Sequence, residues 1–470
     1  MTSRKAILYT LRELGRRAGA SPEWISGWRV LFGEKNLTLF PEPSSDARVI
    51  FPFDPLKARR FETLKESSPS RYEWMHFPGT AVSETVPNLI VLFEDEPREG
   101  VSLFQARGEQ TVECQGDLLT CALWTLARME ELQPAPLDEH ARFPATASAA
   151  FRAGCIERPI VDECALSFAQ ALSSVLPRWK PNAPAFRFKL SHDIDLVGFP
   201  RSLRSTVGHV YPRRIPQAFL RDVLSAAGAG IPAYLQSVLQ TALISEKRGL
   251  HSSFYWQACT PSAWDTGYDL QHPQIRAVIK SLSDRGFELG IHPGYSTFNA
   301  PQRLQDEVNR LRAVVGDGPI GGRQHFLRWH PRTWRMWEDA HLAYDSTVGF
   351  ADAMGFRAGT CVPYHPWLIE EDRESPLVEL PLIVMDCTPV RYMRLTNHQA
   401  LSRIAALVAR CRSVGGVFAL LWHNDSVITH PYAELYPQIL DIVGKTAPYD
   451  YKSDLELLSV PSDIGEASAV

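Results

Sequence analysis

LSHDIDLVG, residues 190–198, ends an apolar-alternating segment, FRFKLSHDID (186–195), with a histidine and two aspartates: His192, Asp193 and Asp195. Acidic side chains are almost never fully buried without a partner. A strand ending on this triplet needs a reason to gather two carboxylates and an imidazole at one tip. Asp193 and Asp195 are two apart, so on an extended chain they face the same way. Two like charges held close repel unless one is neutralised. A divalent cation held by one aspartate and by histidines from other strands would neutralise it and leave the second aspartate free as a base. Asp and His ligands together suit zinc or another borderline divalent ion.

Outward from this stretch the pattern is regular. Further strands read at 251–257 (HSSFYWQ), 287–292 (FELGIH), 321–327 (GGRQHFL), 343–348 (AYDSTV), 378–386 (VELPLIVMD) and 416–423 (GVFALLWH). Helical spacing of apolar residues lies between most of them, at 217–240, 272–285, 301–316, 331–341 and 398–412. Strands alternating with helices indicate a parallel sheet or a β/α barrel, and seven strands suit the barrel better. In such folds the chemistry sits at the C-terminal strand ends. Asp193 and Asp195 stand on the first, His292 on the third, Arg323 and His325 on the fourth, Asp386 on the sixth and His423 on the seventh. Any one of these would be weak evidence; together they point to one site.

Residues before this region have another texture. A basic amphipathic helix opens the chain, and NLTLF (36–40), ARVIFPF (47–53) and NLIVLFED (88–95) read as strands. Helices follow at 116–132 and 157–176, separated by a Pro-rich loop at 133–148. PRWKPNAPAF (177–186), with three prolines, reads as a linker. The expectation is an α+β domain over 1–180 and a larger β/α domain over 186–455.

At 470 residues the chain exceeds one core of typical size. Its 45% apolar and 22% charged residues are those of a globular protein. A formal net charge of -4 provides no basic footprint for nucleic acid. Eight scattered cysteines without a C-x-x-C pair suit reduced packing thiols. The N-terminus lacks the continuous apolar centre of a signal peptide, and runs such as VFALLW (417–422) fall far short of the roughly 20 residues that span a bilayer. A cytoplasmic location is the expectation. No G-x-S-x-G elbow, P-loop or dinucleotide fingerprint is present.

SHDID, ELGIHPGYST, GGRQHFLRW, YDSTVGF, VELPLIVMD and LLWHN, in that order over about 186–430, resemble the motifs of the NodB-homology polysaccharide deacetylases, carbohydrate esterase family 4. The stretch LLTCALWTLARMEE…LDEHARFPATASAAFRAG…ERPIVDE resembles an uncharacterised domain found in front of such deacetylases in bacteria. The resemblance implies a distorted seven-stranded (β/α) barrel, a divalent metal, zinc being the expected one, and a carbohydrate substrate whose N-acetyl group is hydrolysed. It implies Asp193 as the base and Asp195 and His292 as metal ligands. It also implies Arg323 as the residue orienting the base, and His423 as a general acid tuned by Asp386. The family's second metal histidine falls on Ser296, a poor ligand. Water could replace it, His325 from the next strand end could complete the site, or the metal could be weak or lost; His325 is the reading taken here.

Each residue also has a plainer reading. Asp-x-Asp caps turns, His292 packs against backbone, His325 points outward, Arg323 makes an ordinary ion pair and His423 caps a loop. Tyr364 and Trp367 are candidates for stacking on sugar but read first as packing residues, and Arg357 reads as a solvated surface arginine. Hydrolysis of another non-peptide C–N bond, or a catalytically inactive glycan- or partner-binding protein, are the rival functions.

Overall fold

A computed structural model describes residues 3–42, 45–75, 86–182, 184–198, 230–452 and 464–466. The expected helix over 217–240 lies outside these residues up to 229; its remainder belongs to a helix, Ala233–Lys247.

Among the described residues the first part of the chain carries eight strands: β1 (Arg29–Phe32), β2 (Asn36–Phe40), β3 (Arg48–Pro52), β4 (Ser70–Glu73), β5 (Leu89–Val91), β6 (Glu99–Ser102), β7 (Phe104–Ala106) and β8 (Thr111–Cys114). One sheet runs β1-β2-β3-β8-β7, the other β5-β4-β6. Of these, β2, β3 and β5 fall within the strands expected from the sequence. β6 is exposed nearly throughout, so no alternation marks it in the sequence. Helices Arg4–Arg17, Leu118–Leu126 and Ile160–Val175 bury their apolar faces against these sheets. Ser3 caps the first helix by accepting from the Ala6 N–H.

The second part holds a parallel sheet. Its strands are β9 (Arg187–Ile194), β10 (Ser252–Trp256), β11 (Glu288–Ile291), β12 (Tyr344–Asp345), β15 (Val378–Glu379), β16 (Val384–Met385) and β17 (Val417–Leu421), with a small antiparallel pair, β13 (Trp367–Leu368) and β14 (Arg373–Glu374), between β12 and β15. The five-stranded order is β11-β10-β9-β17-β16. Beyond β11, Gly322 bridges Ile291 on one side and Asp345 on the other, and β12 pairs with β15. Among the described residues the ladders do not form a closed seven-stranded barrel, so the expected ring is not seen as such.

The expected strand over 321–327 is a correction. Only Gly322 is in a bridge, and 325–327 is a short 3-10 turn. The reason is crowding. A Cβ on Gly321 would meet the Tyr344 ring at 2.0 Å, and one on Gly322 the Ile291 carbonyl at 1.9 Å. Two glycines let the backbone through, but they leave little side chain to pack as a strand. The sixth expected strand, 378–386, divides into β15 and β16 at Pro381, which has no N–H for a ladder. A helix with an internal Pro437, Tyr432–Val443, was not anticipated from the sequence.

The two parts do not pack as separate bodies. One hydrophobic cluster runs from Ala6 to Ile464 through both, and the strand Gly465–Glu466 pairs with β1. Arg357, expected at the surface, is buried against Glu131. Tyr364 and Trp367 are also buried, and the Tyr364 hydroxyl donates to the Leu126 carbonyl. They are core residues and face no sugar. None of the eight cysteines forms a disulfide.

Candidate active site

β9 lies mid-sheet with both edges paired, and its burial from Phe188 to Ile194 shows that both of its faces are covered as well. Phe188, Leu190, His192 and Ile194 alternate with Lys189, Ser191 and Asp193. The second set meets polar partners: Lys189 pairs with Glu288 at 2.5 Å, and Ser191 donates to the Leu420 carbonyl. Alternation also removes His192 from the site. Its ring packs on Phe254 and Tyr436, its Nδ1 lies 2.7 Å from the Trp422 carbonyl, and burial pushes its pKa down to about 4. The imidazole at the strand tip thus faces away from the two carboxylates.

The backbone ladder continues past the strand ends and sets the height of the remaining groups. His292 N–H donates to the Trp256 carbonyl, Arg323 N–H to Ile291, His325 N–H to Pro293 and Trp422 N–H to Ser191. The side chains from these tips converge. Asp193, Asp195, His292, His325 and His423 line one cavity of about 440 Å³. Arg323 and Asp386 stand behind it, fully buried.

Three imidazoles surround Asp195. His292 Nε2 lies 3.1 Å from its Oδ1, and His325 Nε2 and His423 Nε2 each lie 3.6 Å from its Oδ2. In every case Nδ1 is engaged elsewhere. His292 Nδ1 is 2.7 Å from the Arg323 carbonyl, His325 Nδ1 is 2.8 Å from Asp265 Oδ1, and His423 Nδ1 is 2.8 Å from Asp386 Oδ1. A proton fixed on Nδ1 leaves the Nε2 lone pair free to bind a metal. His292 Nε2 is buried and makes no hydrogen bond. Asp195, His292 and His325 present ligand atoms all within 4.8 Å of one another. One carboxylate and two imidazoles are a zinc donor set with positions left for water. These residues fit a divalent ion.

Without an ion, the charge of Asp195 is balanced by histidine. Burial opposes protonation of His325, but Asp195 and Asp265 outweigh it and push its pKa up to about 10. Burial likewise opposes the charge on His423; Asp386, then Asp195 and Asp193, push its pKa up to about 9. Asp193 is held by Arg323, whose Nη1 donates to its Oδ1 at 2.9 Å. Arg323 is fixed in turn by Nε to the Ser346 carbonyl and Nη2 to the Ser346 hydroxyl, and it lies over the Tyr255 ring. Such a clamp leaves the guanidinium one orientation.

Two further polar residues belong to this arrangement and have no sequence periodicity. Asp265, in the loop after β10, orients His325, accepts from the Tyr295 N–H and is held by Ser262. Gln257 at the tip of β10 donates to Asp195 Oδ1 at 3.3 Å; its place at a strand end was the one signal that could have revealed it. Ser296 is exposed and accepts from Arg303, away from the cavity.

No curated protein matches the chain. Among solved structures it is similar to one from Mycobacterium smegmatis described as a polysaccharide deacetylase: 16% identity, TM-score 0.41, covering 62% of this chain and 96% of that one. It is also similar to one from Bordetella bronchiseptica described as a polysaccharide deacetylase involved in O-antigen biosynthesis, at 18% identity and TM-score 0.26, covering 47% of this chain and 84% of that one. A third is a CE4 family pseudoenzyme from Bacillus anthracis, at 11% identity and TM-score 0.24, covering 61% of this chain and 65% of that one. Residues 46–177 match the model of a family of unknown function, DUF7033. The amino-terminal part of the chain therefore carries a DUF7033 domain.

Proposed function

We propose that this chain is a metal-dependent hydrolase that removes the N-acetyl group from an amino sugar in a bacterial glycan or glycan precursor. The observation behind this is the convergence of Asp195, His292 and His325, with Asp193 on its arginine clamp and His423 on Asp386, at a single cavity. The same proposal takes the second part as a distorted seven-stranded barrel, because 378–385 pairs with β12 at its start and β17 at its end.

Amide hydrolysis near neutral pH needs an activated water, a stabilised oxyanion and a proton for the leaving amine. A divalent ion at Asp195, His292 and His325 would supply polarisation of the amide carbonyl and acidification of the attacking water. Asp193 accepts the water proton through its Oδ2 side, since Oδ1 is taken by Arg323. His423 then donates from Nε2 to the departing amine, while Asp386 holds Nδ1 and keeps the ring aimed. A cavity of about 440 Å³ suits a sugar unit.

Purified protein is expected to bind about one zinc ion per chain and to release acetate from N-acetylglucosamine oligomers. Asp195→Asn should lose metal and turnover together. Asp193→Asn should keep the metal and lose about 10²–10⁴ in kcat. A chain that binds no divalent ion, or an Asp195→Asn variant that binds it as tightly as the parent, would sink the proposal. Cleavage of another small amide, with no acetate from any N-acetyl sugar, would move the substrate to a different C–N bond.

A further inference from the structure

The turn bearing His325 is held in place by the amino-terminal part of the chain. Phe326 and Leu327 both have left-handed backbones, at φ 61 and φ 54, which cost non-glycine residues free energy unless neighbours hold them. The neighbours come from the loop 138–145. Arg142 Nη1 donates to the Phe326 carbonyl at 3.0 Å, and the His140 carbonyl accepts from Arg328 Nε at 2.8 Å. The His140 ring lies 4.6 Å from the Phe326 ring. Arg142 Nε is held by Asp138 at 2.7 Å, and the Ala145 N–H is anchored on Asp352. Arg142 also lines the catalytic cavity, and its Nη2 lies 3.4 Å from the Tyr392 hydroxyl on the same cavity wall. One buried arginine from the DUF7033 domain thus ties the ligand-bearing turn to a second part of the pocket.

We propose that this loop is a working component of the active site, with Arg142 a positioning residue that holds the 325–327 turn and so aims His325 Nε2. This rests on the assignment of His325 as a ligand. It gives the amino-terminal domain a role in the chemistry without any contact of its own to a metal.

The test uses the full chain, parent against Arg142→Ala and Arg142→Lys. Amide hydrogen exchange should rise in Arg142→Ala at 325–328, where the Leu327 N–H and Arg328 N–H close the turn, and stay unchanged in β9. Zinc affinity should fall at least about tenfold, as for other residues that orient a ligand. The Co²⁺ absorption spectrum should shift, and kcat should fall more than KM rises. Arg142→Lys retains one donor and should recover part of each effect. Parent-like exchange at 325–328 in both variants would overturn the proposal, as would parent-like metal affinity and spectrum. If the parent itself binds no metal, the hydrolase assignment fails, and the exchange comparison still decides whether Arg142 holds the turn.

Discussion

Asp265 illustrates how much one residue decides from behind the cavity. Its carboxylate takes His325 Nδ1 and so commits Nε2 to the site. Burial alone would raise the Asp265 pKa; His325 and the Tyr295 N–H outweigh that and lower it, so the carboxylate stays charged behind the imidazole. Asp265→Asn should weaken zinc binding about 10–100-fold, measured by chelator competition, while the fold persists. Asp193 and Asp195 differ in the same way: Arg323 fixes one, and three imidazoles surround the other. Residue type and strand-end position sufficed to name both carboxylates and four of their neighbours in the sequence. Asp265 and Arg142 were not legible, because each lies in a loop whose folded path brings it to the site and no periodicity records that path.

Among elements, the long strands were readable and the short ones were not. β17, VFALL, is a continuous apolar run buried at every position, whereas β9 alternates apolar residues with polar ones and is still buried from Phe188 on. At 321–322 the chain squeezes between Tyr344 and Ile291, and glycine is required by space. Gly322→Ala should therefore cost about 3 kcal/mol, seen as a lower urea midpoint, since neither backbone can yield freely. The displaced Arg323 and His325 should also lose alignment, so activity should fall beyond the loss of folded protein. The two-part sixth strand follows from Pro381 in the same way. A break inside an apolar run is written in the sequence, but which neighbours each half finds is not.

Over the whole molecule, the two parts are joined by buried charge as well as by apolar packing. Glu131 accepts from Arg128 and from Arg357, residues from opposite parts of the chain, and all three are buried. Glu131→Ala would leave two buried guanidinium groups short of a partner and should cost about 3–5 kcal/mol in denaturant unfolding. Glu13 makes stability depend on pH. Burial alone would raise its pKa, but Arg16 and Arg17 outweigh this and lower it from 4.5 to about 2. A carboxylate depressed in the folded state stabilises above its unfolded pKa and loses that contribution as pH falls through the folded one. Glu13→Gln should accordingly flatten the fall in unfolding free energy between pH 4.5 and about 2, a contribution on the order of 3 kcal/mol. Arg17 also pairs with Asp162, so the helix Arg4–Arg17 is tied electrostatically to Ile160–Val175.

By itself the sequence determined the alternation of strands and helices and the polar residues that stand at the strand tips. Periodicity and residue type are local properties, and they survive in one dimension. Only the tertiary structure decided that His192 faces away, that His325 meets Asp195, that Arg357 is buried, and that a loop from the first 180 residues packs on the turn bearing His325. Those outcomes depend on which distant segments share a wall, and contact between segments remote in the chain leaves no period to read.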